Sequence, residues 1–121
     1  MLRIKLIIDT NTFIYAVQNR IDILESIRMS FPQLEPVMSL CVLNELRHLS
    51  HNNPHAKIAL SLFQNLPSVD GKGQGDDCIL NACVEKGIGL LTSDKELLNR
   101  ARINNVKVLT VQDGRHIVWY H

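Results

Sequence analysis

Leu6-Ile7-Ile8-Asp9-Thr10-Asn11-Thr12-Phe13 carries an apolar run straight into a carboxylate and small polar residues. An apolar run of this kind reads as a buried strand, and the acid then stands at its carboxyl end. In open α/β sheets ligands and catalytic groups collect outside the carboxyl ends of strands, so Asp9 is a functional candidate. Its meaning depends on whether other acids arrive at the same rim.

Composition narrows the setting. A chain of 121 residues is long enough for one domain, spanning 1–121, to bury a core without structural staples. A hydrophobic share of 45% and a charged share of 21% fit an ordinary globular protein, and a net charge of +1 argues against a strongly basic nucleic-acid coat protein or an acidic tail. There is no run of membrane-span length and no signal-peptide pattern at the N-terminus, so a cytoplasmic location is expected. Cys41, Cys78 and Cys83 show no C-x-x-C spacing, and their odd number in a reducing compartment predicts unpaired core residues. His48, His51 and His55 have helical spacing, but Asn52-Asn53-Pro54 interrupts them, which points to a solvated turn.

Along the chain, strands and helices alternate. A strand is expected over residues 2–8, then a helix from Thr10 to Val17 capped by Asn11 or Thr12, and another from Asp22 to Met29. Val37 to Leu40 reads as a second strand, followed by a helix over Cys41–Leu49. Asn53-Pro54 opens a further helix with the stripe Ile58, Ala59, Leu62, Phe63 and Leu66, ended by Pro67. Ser68 to Gly75 reads as a flexible, glycine-rich loop that lacks the phosphate-loop pattern. A helix starting at Asp76 ends at Gly87, and Ile88 to Thr92 is a third strand. Ser93 with Glu96 forms a capping-box signature for a helix to Ile103, and Val106 to Val111 is a fourth strand. Arg115 to Tyr120, with Ile117, Val118 and Trp119, reads as an edge strand or a homodimer contact. This order predicts an α/β protein: a three-layer sandwich around a mostly parallel sheet of four or five strands.

Four acids stand out by context. Asp9 and Asp94 each follow a strand; Glu45 shares the helical spacing of Val42, Leu46 and Leu49, which turns it inward; Asp76 opens a helix. Asp76 continues the stripe of Ile79, Leu80 and Cys83, whereas Asp77 is rotated from it by about 100°, so Asp76 ranks first and Asp77 second as a ligand. Two carboxylates ~4 Å apart repel by about 4 kcal/mol at an effective dielectric of 20. A hard divalent cation removes that conflict, and Mg²⁺ takes oxygen ligands while keeping several waters.

Taken together, the chain resembles the PIN-domain ribonucleases over nearly its whole length. Ile7-Ile8-Asp9-Thr10-Asn11, Val42-Leu43-Asn44-Glu45-Leu46, Gly75-Asp76-Asp77-Cys78-Ile79 and Leu91-Thr92-Ser93-Asp94 are similar to the family's four motifs in order. The doubled acid at Asp76-Asp77 is closer to the ribosomal-RNA-processing branch than to VapC-type toxins. The resemblance implies a PIN-like fold and an endoribonuclease using Mg²⁺ or Mn²⁺ held by Asp9, Asp76 and Asp94, with Glu45 binding directly or through water. Thr10, Asn11, Thr92 and Ser93 would orient these acids or the water, and Arg47, Lys72 and Lys95 are the nearest cations in sequence for an RNA backbone. An antitoxin or a ribosome-assembly factor is the implied protein partner.

Two other readings compete. An aspartate-nucleophile phosphatase of the haloacid dehalogenase type needs Asp-x-Asp, where this chain has Asn11, and its Thr/Ser motif should precede Asp76-Asp77 rather than follow it. A non-catalytic PIN scaffold binding RNA or protein is the other alternative.

Overall fold

Strand β1 (Ile4–Ile8) is the middle of the molecule, and its last three residues, Leu6, Ile7 and Ile8, are at most 1% exposed. Successive strand residues point to opposite faces, so both faces of the sheet are covered by helices, giving the expected three layers. The computed structural model describes residues 3–121; Leu2, where the first strand is expected to begin, lies outside the described residues.

After β1 come α1 (Thr10–Gln18), α2 (Ile23–Ser30), β2 (Leu34–Ser39), α3 (Leu40–Leu49), α4 (Pro54–Phe63), β3 (Ser68–Val69), α5 (Gly75–Lys86), β4 (Gly89–Leu91), α6 (Lys95–Ile103), β5 (Val108–Gln112) and β6 (His116–Trp119). The sheet runs β3-β2-β1-β4-β5-β6, all parallel except β6, which returns antiparallel along β5. The chain winds outward from β1 through β2 to β3, then crosses to β4 on the other side of β1. This reversal creates a crevice at the carboxyl ends of β1 and β4. None of the described helices is long and apolar enough to cross a membrane.

Several local expectations change. The described residues form six strands rather than four or five, because Ser68-Val69 pairs with Met38 and Ser39. Two residues are too few to show a strand's alternation. β2 begins at Leu34 and takes in Pro36, tolerated because β3 reaches only Met38 and Ser39, leaving that side of β2 open. In α4 the buried stripe is Ala56, Ala59 and Phe63, with Phe63 stacked on Phe13 at 4.7 Å, while Ile58 and Leu62 face outward. The helix stops before Leu66, so the contact with α1 sets its rotation. The segment read as a flexible loop is pinned to α5: Asn81 Nδ2 donates to the Lys72 carbonyl at 2.7 Å and Lys86 Nζ to that of Asp70 at 3.0 Å. Gly71 lies so close that a Cβ there would fall 2.5 Å from the Cys78 carbonyl oxygen.

The cysteines are also corrected. Cys41 of α3 and Cys78 of α5 form a disulfide with a Cα–Cα distance of 6.4 Å, bridging 37 residues. Chain spacing does not reveal the pair because the packing of α3 on α5 creates it. Cys83 is a buried free thiol as expected, pushed up to about 12 by burial. His48, His51 and His55 are exposed.

Candidate functional site

Asp9 ends β1 and at once caps α1, so helix α1 starts two or three residues earlier than a cap at Asn11 or Thr12 implies. Its Oδ1 accepts the Thr12 backbone N–H at 2.9 Å, and its Oδ2 accepts the Thr92 hydroxyl. Only 6% of the residue is exposed. Burial raises the Asp9 pKa, the hydrogen bonds from Thr12 and Thr92 pull against it, and the Asp94 charge raises it further. The Thr12 hydroxyl contributes to that lowering by its nearness, although it makes no hydrogen bond of good geometry.

On the other side of the crevice Asp94, not Ser93, caps α6, its Oδ1 accepting the Leu97 N–H at 3.1 Å. Ser93 stands one residue outside the helix. Thr92, fully buried, links the two strand ends: its hydroxyl donates to Asp9 and accepts the Asp94 N–H at 3.1 Å.

Asp76 lies in the first turn of α5 and is partly buried. Burial raises its pKa, Asp94 and then Asp9 add to the rise, and Arg100 opposes it. Asp9, Asp94 and Asp76 therefore share one electrostatic field. Gln74, the cap position of α5, supplies no side-chain acceptor, and Gly75 opens onto the same crevice. The uncapped N-terminal amides of α5 thus lie where an anion's oxygen would be favoured.

One cleft of about 70 Å³ gathers Asp9, Glu45, Asp76 and Asp94 with Thr10 and Asn11. Glu45 reaches it from an exposed position rather than a buried one, because Val42, Leu43 and Leu46 form the buried stripe of α3 and Glu45 stands on its flank. Asp77 is not in the cleft; it is exposed and pairs with Arg100 of α6. Arg47, Lys72 and Lys95 are exposed and do not line the cleft. Arg100 is the cation beside the acids, a contact across 23 residues that no spacing pattern signals. Cys41 and Ile79 also line the cleft, placing the disulfide against its wall.

The donor set fits a hard divalent cation: four carboxylates, of which Asp9 and Asp76 have raised pKa values and gain by neutralisation, in a space sufficient for an ion and a few waters. Among the described residues no three acidic, histidine or cysteine side chains form a closed chelate. A spread set of this kind suits an ion that keeps part of its water shell.

Comparison with known proteins agrees with this architecture. A family model described as a PIN like domain matches residues 6–114. The chain is 25% identical over 116 residues to ribonuclease VapC9 of Archaeoglobus fulgidus, covering 92% of this chain and 85% of that protein. It is 32% identical over 117 residues to the rRNA-processing protein fcf1 of Schizosaccharomyces pombe, covering 90% of this chain but only 59% of that protein's length. A solved structure, that of the PIN domain endonuclease Utp24, superposes with a TM-score of 0.78 at 28% identity, covering 95% of this chain and 90% of that one.

Proposed function

The chain belongs to the PIN-domain family, and from that premise we propose that it is a metal-dependent endoribonuclease, folded as a single domain over 1–121, that hydrolyses RNA phosphodiester bonds at the acid cleft. The observation carrying this reading is that four acids from four separate elements, Asp9, Glu45, Asp76 and Asp94, line one cleft at the reversal point of the sheet.

Asp9, Asp76 and Asp94 would hold Mg²⁺ or Mn²⁺, with Glu45 at the mouth binding through water. When bound, the ion supplies an activated water and neutralises charge on the phosphate. Thr92 keeps both Asp9 and the start of α6 in place, so these acids meet an ion without first reorganising. The open amides at the start of α5 and the Arg100 guanidinium receive phosphate oxygens. Asn11 and Ser93 sit beside the acids and position the strand. The substrate is RNA, and the controlling partner an antitoxin or a ribosome-assembly factor. The free edge of β6 is the place for a homodimer contact, where Trp119 already packs edge-on against Phe31 of its own chain. Light scattering of Trp119→Ala reads that contact.

Calorimetric titration with Mn²⁺ separates this reading from a non-catalytic scaffold. Saturable binding by the wild type that weakens at least tenfold in Asp9→Asn supports it. Equal binding by both proteins contradicts it.

A further inference from the structure

A second cavity of about 500 Å³ adjoins the acid cleft, and the two share Asp9, Asn11 and Asp94 in their walls. Its far side is built by Tyr15 of α1, Val111 of β5 and Gly114 in the turn between β5 and β6. The volume lies in the range of sites that enclose a small organic group, far above what an ion needs.

The Tyr15 side chain is fixed in place. Its hydroxyl donates to the Gly114 carbonyl at 2.7 Å, tying α1 to a turn 99 residues away. Gly114 has φ +76, and a Cβ there would lie 3.3 Å from the Tyr15 oxygen, so the turn approaches α1 as closely as a glycine permits. With its hydroxyl engaged, Tyr15 offers the cavity its ring. Asn11, exposed on the wall common to both spaces, offers an amide with donors and an acceptor. Ser93 adds a hydroxyl. Thr12, which also lines the cavity, carries the buried side-chain oxygen without a hydrogen-bond partner among the described residues.

A held aromatic ring beside an amide is the equipment that receives an unpaired nucleobase, the ring by stacking and the amide by hydrogen bonds along the base edge. We propose that this cavity is a base-binding subsite, seating one nucleobase next to the phosphate in the acid cleft with the Tyr15 ring as its stacking face. This deepens the nuclease reading and rests on it.

The test is equilibrium binding of a short unstructured RNA, and of a set in which each base in turn is replaced by an abasic site, with metal chelated so that no strand is cut. Wild type should lose about tenfold in affinity at one position of the abasic scan. Tyr15→Leu, which keeps an apolar body, should lose most of that penalty, whereas Tyr15→Phe, which keeps the ring, should retain it. An abasic penalty of the same size in Tyr15→Leu, or no penalty at any position in wild type, overturns the subsite. If Mn²⁺-loaded protein cuts RNA while the scan is flat, the subsite fails and the nuclease reading stands. If the scan shows the coupling while RNA stays intact with Mn²⁺, the subsite stands as a binding site and the nuclease reading fails.

Discussion

The Thr92 hydroxyl donates to Asp9 Oδ2 and accepts the backbone N–H of Asp94, so one buried side chain fixes the acids at the ends of two neighbouring strands. Thr92→Val keeps the shape and removes both bonds, leaving a carboxylate oxygen and an N–H without partners. Urea unfolding should show a loss of about 1–3 kcal/mol, and Thr92→Ser should recover most of it. Equal midpoints for Val and wild type would show that the bonds contribute nothing.

Asp9 and Asp76 both have raised pKa values, with burial as the first cause. The folded chain therefore holds these protons to higher pH than the unfolded chain, whose carboxyls titrate near 3.8. Unfolding releases protons in that window, so the stabilisation present at low pH is lost as pH rises through the folded pKa. Metal-free Asp9→Asn should gain stability relative to wild type as pH rises from about 4, levelling once Asp9 is ionised. A difference independent of pH would contradict the assignment.

Divalent metal should reverse that order. At a free concentration one hundred times its Kd, an ion bound only by the folded chain adds about 2.7 kcal/mol. Thermal melts in Mn²⁺ should rise for wild type and much less for Asp9→Asn. The same rise in both would place the ion elsewhere.

Asp77 is predicted to be dispensable where Asp76 is not. Asp77 points away from the cleft to an exposed pair with Arg100, and such surface pairs contribute about 0–1 kcal/mol. Asp77→Asn should keep RNA cleavage within a few-fold of wild type. A loss matching that of Asp76→Asn would mean that the two acids act together.

Reduction should loosen the cleft wall. The Cys41–Cys78 bridge closes a loop of 37 residues and joins the helices carrying Glu45 and Asp76, so its removal should cost about 2–4 kcal/mol by chain-entropy reasoning. Denaturant midpoints with and without a dithiol, and for Cys41→Ser, measure this. Unchanged midpoints would show that the link adds no stability.

What was legible in the sequence followed from patterns of short range. The run Leu6 to Ile8, the Gly87 stop and the rotation of Asp76 relative to Asp77 all express the local periods of strand and helix. The helix starts were displaced because Asp9 and Asp94 serve as caps themselves, where neighbouring Ser and Thr residues offered the more familiar signal. Glu45 followed the apolar spacing but sat on the flank of its stripe, a difference of one step around the helix. The disulfide, the Arg100–Asp77 pair and the Tyr15–Gly114 bond join residues 37, 23 and 99 apart, and only the folded packing brings them together.

The central claim is that these acids make a metal-dependent nuclease, and cleavage of a single-stranded RNA in Mn²⁺ by wild type and Asp76→Asn tests it most directly. Wild type should cut only with the metal, and Asp76→Asn should lose that cleavage while melting as a folded protein. RNA left intact by wild type, or cut equally by the variant, would contradict the account.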